Sequence, residues 1–599
     1  MKRLLFFLML VLSSYPLLSQ KSEQIINVDG RINISLNGAW QIIIDPYENG
    51  YYNYRRLPDP GGYFLNIKPH NKSERIEYNF DASETLNVPG DWNTQKEKLF
   101  LYEGTVWYKK SFDYKKKNNT RVFLYIGAAN YEAITYFNGE KLGEHVGGFT
   151  PFNFEVTGKI KDGENFVVVK VDNKRLREGV PTLNTDWWNY GGITRDVKLI
   201  ETTQTFVRDY YIQLKKGSTN QINGWIQLDG KNLGQKVHLQ IPEAGIDGLV
   251  TTNEHGFGEI NLDANLILWS PQNPKLYDVI VKSEEGEIKD KIGFRSIETR
   301  GSGIYLNGRR IFLKGISIHE EAPVRSGRAN SVEDARKLLG MAQELGCNFV
   351  RLAHYPHNEY MIREADKRGI LVWSEVPVYW TILWENKPTF ENASNQLEEV
   401  ITRDKNRAAI VLWSVGNETP RSEPRLEFMK KLAEKARSLD PARLITAATE
   451  IHYIDPKTIM TDDPLGQYLD VLGCNEYIGW YDGLPAKADS IKWVSAYDKP
   501  LVISEFGGDA KFGYHADSLT VWSEEYQENL YTHQIKMLKK ITNLQGMSPW
   551  ILMDFRSPRR PLPGIQDFFN RKGLYSNLGE KKKAFYILRN FYNSEFTTK

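Results

Sequence analysis

Cysteine is nearly absent: the 599 residues contain two, Cys347 and Cys474. That excludes a disulfide framework and any cysteine-rich metal site. Both lie in apolar stretches that read as barrel strands, so buried free thiols are expected. Excess charge of one sign is also missing, with 77 Lys and Arg against 75 Asp and Glu, a net of +2. Nucleic acid and anionic membrane surfaces both demand a basic excess, so neither is an expected partner. No apolar run beyond the amino terminus approaches the roughly 18 residues a membrane-spanning helix takes, which excludes insertion by a later helix. Histidine is sparse as well. His319-Glu320-Glu321-Ala322-Pro323 lacks the second histidine of a zinc-protease helix, and Pro323 would break such a helix. His354 and His357 have no suitably placed third ligand. Neither metal nor cofactor is expected.

What is present begins with Met1-Lys2-Arg3, an apolar segment to Leu12, and small or polar residues to Ser19. This reads as a secretory signal peptide over residues 1–20, so the mature protein is expected to be exported, to the periplasm or the medium. Residues 21–201 alternate in short β-segments broken by turn pairs such as Asn138-Gly139 and Asp162-Gly163, the texture of a jelly-roll sandwich. Residues 202–298 continue in that style over the length of one immunoglobulin-like sandwich. From 299 to 599 strand and helix alternate. Strand candidates lie at 311–317, 348–353, 370–376, 408–415, 444–448, 471–475, 501–505 and 547–553, with amphipathic stretches such as 331–345 between them. Eight strands with intervening helices fit a (β/α)8 TIM barrel. Aromatic residues make up 12%, which suits either large sandwich cores or rings that stack on sugar faces. The lysine runs at 115–117 and 581–583 read as solvated faces.

Two of the barrel strands end in glutamate. Ala408 to Val415 is continuously apolar apart from Ser414 and closes on Gly416-Asn417-Glu418; Leu501-Val502-Ile503-Ser504 closes on Glu505. The carboxyl ends of buried parallel strands are where barrel enzymes carry their chemistry. A carboxyl pair at such a place suits glycoside cleavage, one member protonated as acid and the other ionised as nucleophile or base. Asn417-Glu418-Thr419 also matches a glycosylation sequon, which a buried strand end would not present for modification.

These motifs resemble those of glycoside hydrolase family 2, the family of β-galactosidases, β-glucuronidases and β-mannosidases. The resemblance extends along the chain through Leu36-Asn37-Gly38-Ala39-Trp40, Val88-Pro89-Gly90-Asp91-Trp92, Phe294-Arg295, His319-Glu320 and the stretch from Asn348 to Pro356. It implies a retaining double displacement, with Glu505 as nucleophile and Glu418 as acid/base. It further implies that Asn417 bonds the sugar 2-hydroxyl, that Tyr477 donates to Glu505, and that Arg351 lies beside the nucleophile. His319 and His354 would serve as hydroxyl partners, Trp550 as an apolar platform, and Asp186 would reach the sugar from the first sandwich. Some β-galactosidase relatives bind magnesium near the acid/base; no convincing ligand set for it is seen here.

Asn570-Arg571-Lys572-Gly573 resembles the Asn-x-Lys motif with which β-glucuronidases grip the substrate carboxylate. Relatives often carry an arginine four residues before the asparagine; here that position is Gln566, and Arg556, Arg559 or Arg560 would have to supply the charge. The expected protein is therefore an exo-β-glycosidase acting on terminal β-glucuronides, such as those of oligosaccharides from polysaccharide breakdown. A β-galactosidase of the same family is the close alternative, and a catalytically silent carbohydrate-binding protein the alternative from another class. The expected partner is a glycoside or oligosaccharide. A homo-oligomer is compatible with this reading, although no sequence pattern specifies one.

Overall fold

The computed structural model describes residues 24–594. The expected signal peptide lies outside them. Two β-sandwiches precede a barrel, and the first packs over the barrel mouth.

The first sandwich stacks a four-stranded sheet, in which Val197–Thr202 and Arg121–Ile126 pair centrally, on a six-stranded one built around Thr105–Tyr114 and Gly163–Asp172. Asn138 and Gly139 both take positive φ, the geometry of a two-residue hairpin turn, and join Glu132–Phe137 to Glu140–Val146. The second sandwich sets three strands against four. Its strand Gln221–Asp229 alternates buried Ile222, Ile226 and Leu228 with more exposed positions, as one-sided burial requires.

The barrel sheet is parallel and closes through its first strand, which differs from the continuous segment expected at 311–317. Leu313–Lys314 pairs with the eighth strand and Ser317–Ile318 with the second. The break falls at Gly315-Ile316, where the chain hands over from one neighbour to the other. Gly315 N–H still donates to Met547 O at 2.8 Å, and Arg351 N–H to Ile316 O at 3.1 Å. The eighth strand is also displaced, to Leu544–Met547 rather than 547–553. Pro549 has no N–H to give a ladder, so the chain leaves the sheet there. The remaining strands are Phe349–Leu352, Leu371–Glu375, Ile410–Asn417, Leu444–Thr449, Leu472–Asn475 and Leu501–Glu505. The expected division at 298/299 falls inside the strand Ile297–Arg300, which pairs with Gly303–Leu306. Ile297, Ile304 and Leu306 of this hairpin join the barrel core, and Arg310 Nε beyond it donates to Gln545 Oε1 at 3.0 Å.

The helix Val332–Glu344 is capped by Ser331, whose hydroxyl accepts from Asp334 N–H at 3.1 Å. Cys474 lies within a barrel strand, whereas Cys347 precedes one; both are buried free thiols. Among the described residues no helix is long and apolar enough to cross a membrane.

A Cβ on Gly315 would stand 2.5 Å from Phe349 Cδ1 and 2.8 Å from Met547 O. Gly315→Ala is therefore expected to destabilise the fold by about 1–3 kcal/mol, read as a lowered urea midpoint with unchanged slope.

Candidate active site

The strand ends converge on one guanidinium. Arg351, fully buried on the second barrel strand, donates from Nη1 to Glu505 Oε1 at 2.7 Å and from Nη2 to Glu375 Oε1 at 3.0 Å. The same Nη2 donates to Asn417 Oδ1 at 2.7 Å. Glu505 also accepts from the Tyr477 hydroxyl, at 2.6 Å to Oε2. Burial pushes the Glu505 carboxyl up and the neighbouring charge of Glu418 adds to that, while Arg351 opposes both. Glu418, half-buried at the end of the fourth strand, accepts from Trp380 Nε1 at 2.9 Å.

Glu375 was not singled out from the sequence. It ends the third strand after Leu371-Val372-Trp373-Ser374, a pattern equivalent to that of Glu505. Its environment is different. It accepts from Arg351, from Trp373 Nε1 at 2.9 Å and from Ser414 Oγ at 2.8 Å, and lies 2.8 Å from His354 Nδ1. Burial would raise this carboxyl, but Arg351 and His354 prevail and hold it down at about 2. With its oxygens so occupied it is a structural anion that fixes Arg351 and His354. The other ring nitrogen of His354, Nε2, lies 3.6 Å from Glu505 Oε1, beyond hydrogen-bond length.

Aromatic rings wall the site. Trp550 stacks on His354 with centroids 4.8 Å apart. His319 lies among Trp187, Trp550 and Phe555, with Nδ1 3.1 Å from the Tyr355 hydroxyl; burial holds the ring neutral, far below its ordinary proton affinity. Its Nε2 and the Asn417 Nδ2 are buried without hydrogen-bond partners among the described residues. Two polar groups of this kind beside a carboxyl pair suit the hydroxyls of a sugar.

The first sandwich supplies Asp186 and Trp187 on a loop locked to the barrel, with Trp188 N–H donating to Arg556 O at 3.0 Å. Arg195 of the same domain reaches Glu320 and donates to Pro356 O at 2.6 Å. Asp186 accepts from Ser557 Oγ at 2.6 Å, from Arg560 Nε at 3.1 Å and from Asn570 Nδ2 at 3.2 Å. Lys572 is buried, ion-paired with Asp509 at 2.7 Å, and donates to the Tyr481 hydroxyl at 2.9 Å. Burial pulls its proton affinity down, but Asp509 outweighs this and keeps the ammonium charged. The ammonium lies 5.6 Å from the Tyr477 ring, whose hydroxyl binds Glu505. Lys572, Asn570, Asp186 and Arg560 thus form one group beside the carboxyl pair. Arg560 is the member of its loop that joins them. The Arg556 guanidinium sits 4.5 Å from the Phe569 centroid instead, and that of Arg559 over Trp380. Asp509, Tyr481, Trp380 and Ser557 carried no recognisable signal in the sequence, since each acquires its place through a partner distant in the chain.

Two family models match this chain. "Glycosyl hydrolases family 2, sugar binding domain" covers residues 34–203, and "Glycosyl hydrolases family 2, TIM barrel domain" covers 297–592. The chain belongs to glycosyl hydrolase family 2. It is a glycoside hydrolase. A putative beta-glucuronidase of Formosa agariphila is 28% identical to it over 92% of this chain and 72% of that protein. A beta-glucuronidase of Paenibacillus borealis is 27% identical over 84% and 90%. Among solved structures, Ruminococcus gnavus beta-glucuronidase superposes with a TM-score of 0.79 at 25% identity, covering 96% of this chain and all (100%) of that one. A beta-glucuronidase from an uncultured Clostridium species gives 0.81 at 24%, covering 94% and 98%.

Glu375→Gln removes one of the two carboxylates around a fully buried arginine and is expected to cost about 3 kcal/mol of stability, measured by chemical denaturation. Glu476, which follows the strand Leu472–Asn475, gives a pH signature. Burial raises its carboxyl from an ordinary 4.5 to about 8. Between those values the folded state holds a proton that the unfolded state has lost, so stability falls as pH rises through the window. Glu476→Gln is expected to remove this slope, with a melting temperature above wild type at pH 8 and a smaller difference near pH 4.5.

Proposed function

We propose that this protein is a retaining exo-β-glucuronidase that removes terminal β-D-glucuronic acid from oligosaccharides released in polysaccharide breakdown, and that it works after export. In this reading Glu505, oriented by Arg351 and Tyr477, attacks the anomeric carbon. Glu418 gives its proton to the departing oxygen and then takes one from the water that hydrolyses the glycosyl-enzyme. Asn417 Nδ2 and His319 Nε2 meet sugar hydroxyls, Trp550 and His354 line the apolar face, and Asp186 orders the group that receives the carboxylate.

The observation that carries the reading is the buried Lys572 ammonium one aromatic ring away from Glu505. An ammonium has three N–H donors. Asp509 and Tyr481 engage two, which leaves one for a substrate carboxylate, alongside the unused donors of Arg560. Related proteins named beta-glucuronidases support the same assignment. One observation favours a β-galactosidase instead: Asp509 already neutralises Lys572, so a neutral hexose would leave no bare charge.

Paired kcat/KM values for an aryl β-glucuronide and an aryl β-galactoside separate the two. The wild type is expected to prefer the glucuronide, and Lys572→Ala to lower that preference by about 100-fold through the lost charge-assisted bond. A galactoside preference untouched by the mutation would assign the enzyme to the alternative. Release of the β-anomer first, followed by proton NMR, checks retention.

A further inference from the structure

The segment from Arg556 to Pro563 carries three arginines whose guanidinium groups go to three places. Arg556 is taken up by Phe100 and Phe569, with centroids at 5.1 and 4.5 Å. Arg560 is taken up by Asp186. Arg559 is exposed, and no carboxylate among the described residues pairs with it. Its guanidinium lies 4.8 Å from the centroid of Trp380. That indole donates from Nε1 to Glu418 Oε2 at 2.9 Å, and the Trp380 backbone N–H donates to Asn417 O at 3.0 Å.

In the reading proposed above, this arrangement assigns the adjacent arginines to opposite sides of the reacting bond. Arg560 joins Lys572 and Asn570, where the sugar ring to be released would sit. Arg559 lies over Trp380, the ring that holds Glu418, and so, with Glu418 as the acid, on the side of the residue that leaves with the glycosidic oxygen. The backbone between them is pinned. Ser557 N–H donates to Phe568 O at 2.9 Å, Phe568 N–H to Arg560 O at 2.8 Å, and Arg559 N–H to Ser557 Oγ at 3.2 Å. Pro558, Pro561 and Pro563 restrict the segment further. A guanidinium presented from a fixed backbone, with its planar fork free of protein anions, is a ready receptor for an oxyanion.

We propose that Arg559 forms an anion-binding subsite on the leaving-group side, and that the preferred substrate carries a sulfate or carboxylate on the residue attached to the scissile oxygen. The cation over Trp380 would seat that residue against the indole, beside Glu418. The inference rests on the glucuronidase reading above.

The test compares kcat/KM of the wild type, Arg559→Gln and Arg559→Lys on aryl β-glucuronides whose ring bears a sulfate ester, a carboxylate or neither. Intrinsic leaving ability cancels when variants are compared on one substrate. Arg559→Gln is expected to lower the anionic-to-neutral ratio about tenfold, Arg559→Lys to retain part of it, and added salt to erode it in the wild type. A loss confined to one anion identifies the group recognised and supports the subsite. A ratio within about twofold of wild type overturns it, because an exposed charge with no ligand contributes little. An equal fall on all three substrates also overturns it, since Arg559 would then act through Trp380 on Glu418. Wild-type inactivity on all three aryl glucuronides would instead remove the underlying glucuronidase reading, and the subsite with it.

Discussion

A guanidinium with no access to water needs anionic partners, and Arg351 finds two, Glu375 and Glu505. Because it is planar and multidentate, it also fixes where those partners lie. Its two terminal nitrogens point to the third, fourth and seventh barrel strands through Glu375, Asn417 and Glu505. Trp373, Ser414 and His354 complete the shell of Glu375, so the anion that balances Arg351 is itself held from several directions. Glu505 has a different second partner, the Tyr477 hydroxyl, which occupies its other oxygen. One carboxylate is thereby consumed by structure and the other is held in orientation at the site. The barrel around them contributes rigidity: short parallel strands whose ends cannot move independently.

The sandwich that covers the mouth completes the charge balance. Lys572 faces Asp509, and Arg560 faces Asp186 from the other domain, so two cations and two anions are paired before any substrate arrives. Burying an unpaired ammonium would be prohibitive, and Asp509 removes that cost. A bound carboxylate would then share cations that are already charged and oriented. The arrangement trades raw attraction for preorganisation, and it makes the interdomain contact part of the site.

Much of this was legible along the chain. Alternation in the sandwiches, apolar strands in the barrel and the cap at Ser331 are local properties, set by which face or end of an element meets water. Glu418 and Glu505 stood out for the same reason. Yet Glu375 closes an apolar strand too, and Glu476 follows another, and the apolar-strand pattern alone does not separate these four. The broken first strand and the early end of the eighth were likewise invisible from periodicity, because each depends on which neighbour the backbone meets.

By itself, then, the sequence determined the three-domain order, the barrel and the placement of carboxyls at strand ends, since hydrophobic period and strand polarity are encoded in adjacent residues. Only the tertiary structure decided which carboxylate is neutralised, which remains beside Glu418, and which of three neighbouring arginines faces Asp186 or Trp380. Those outcomes are ion pairs and ring contacts between residues as far apart as Asp186 and Arg560, or Arg351 and Glu505. Their geometry exists only once the domains have closed on one another.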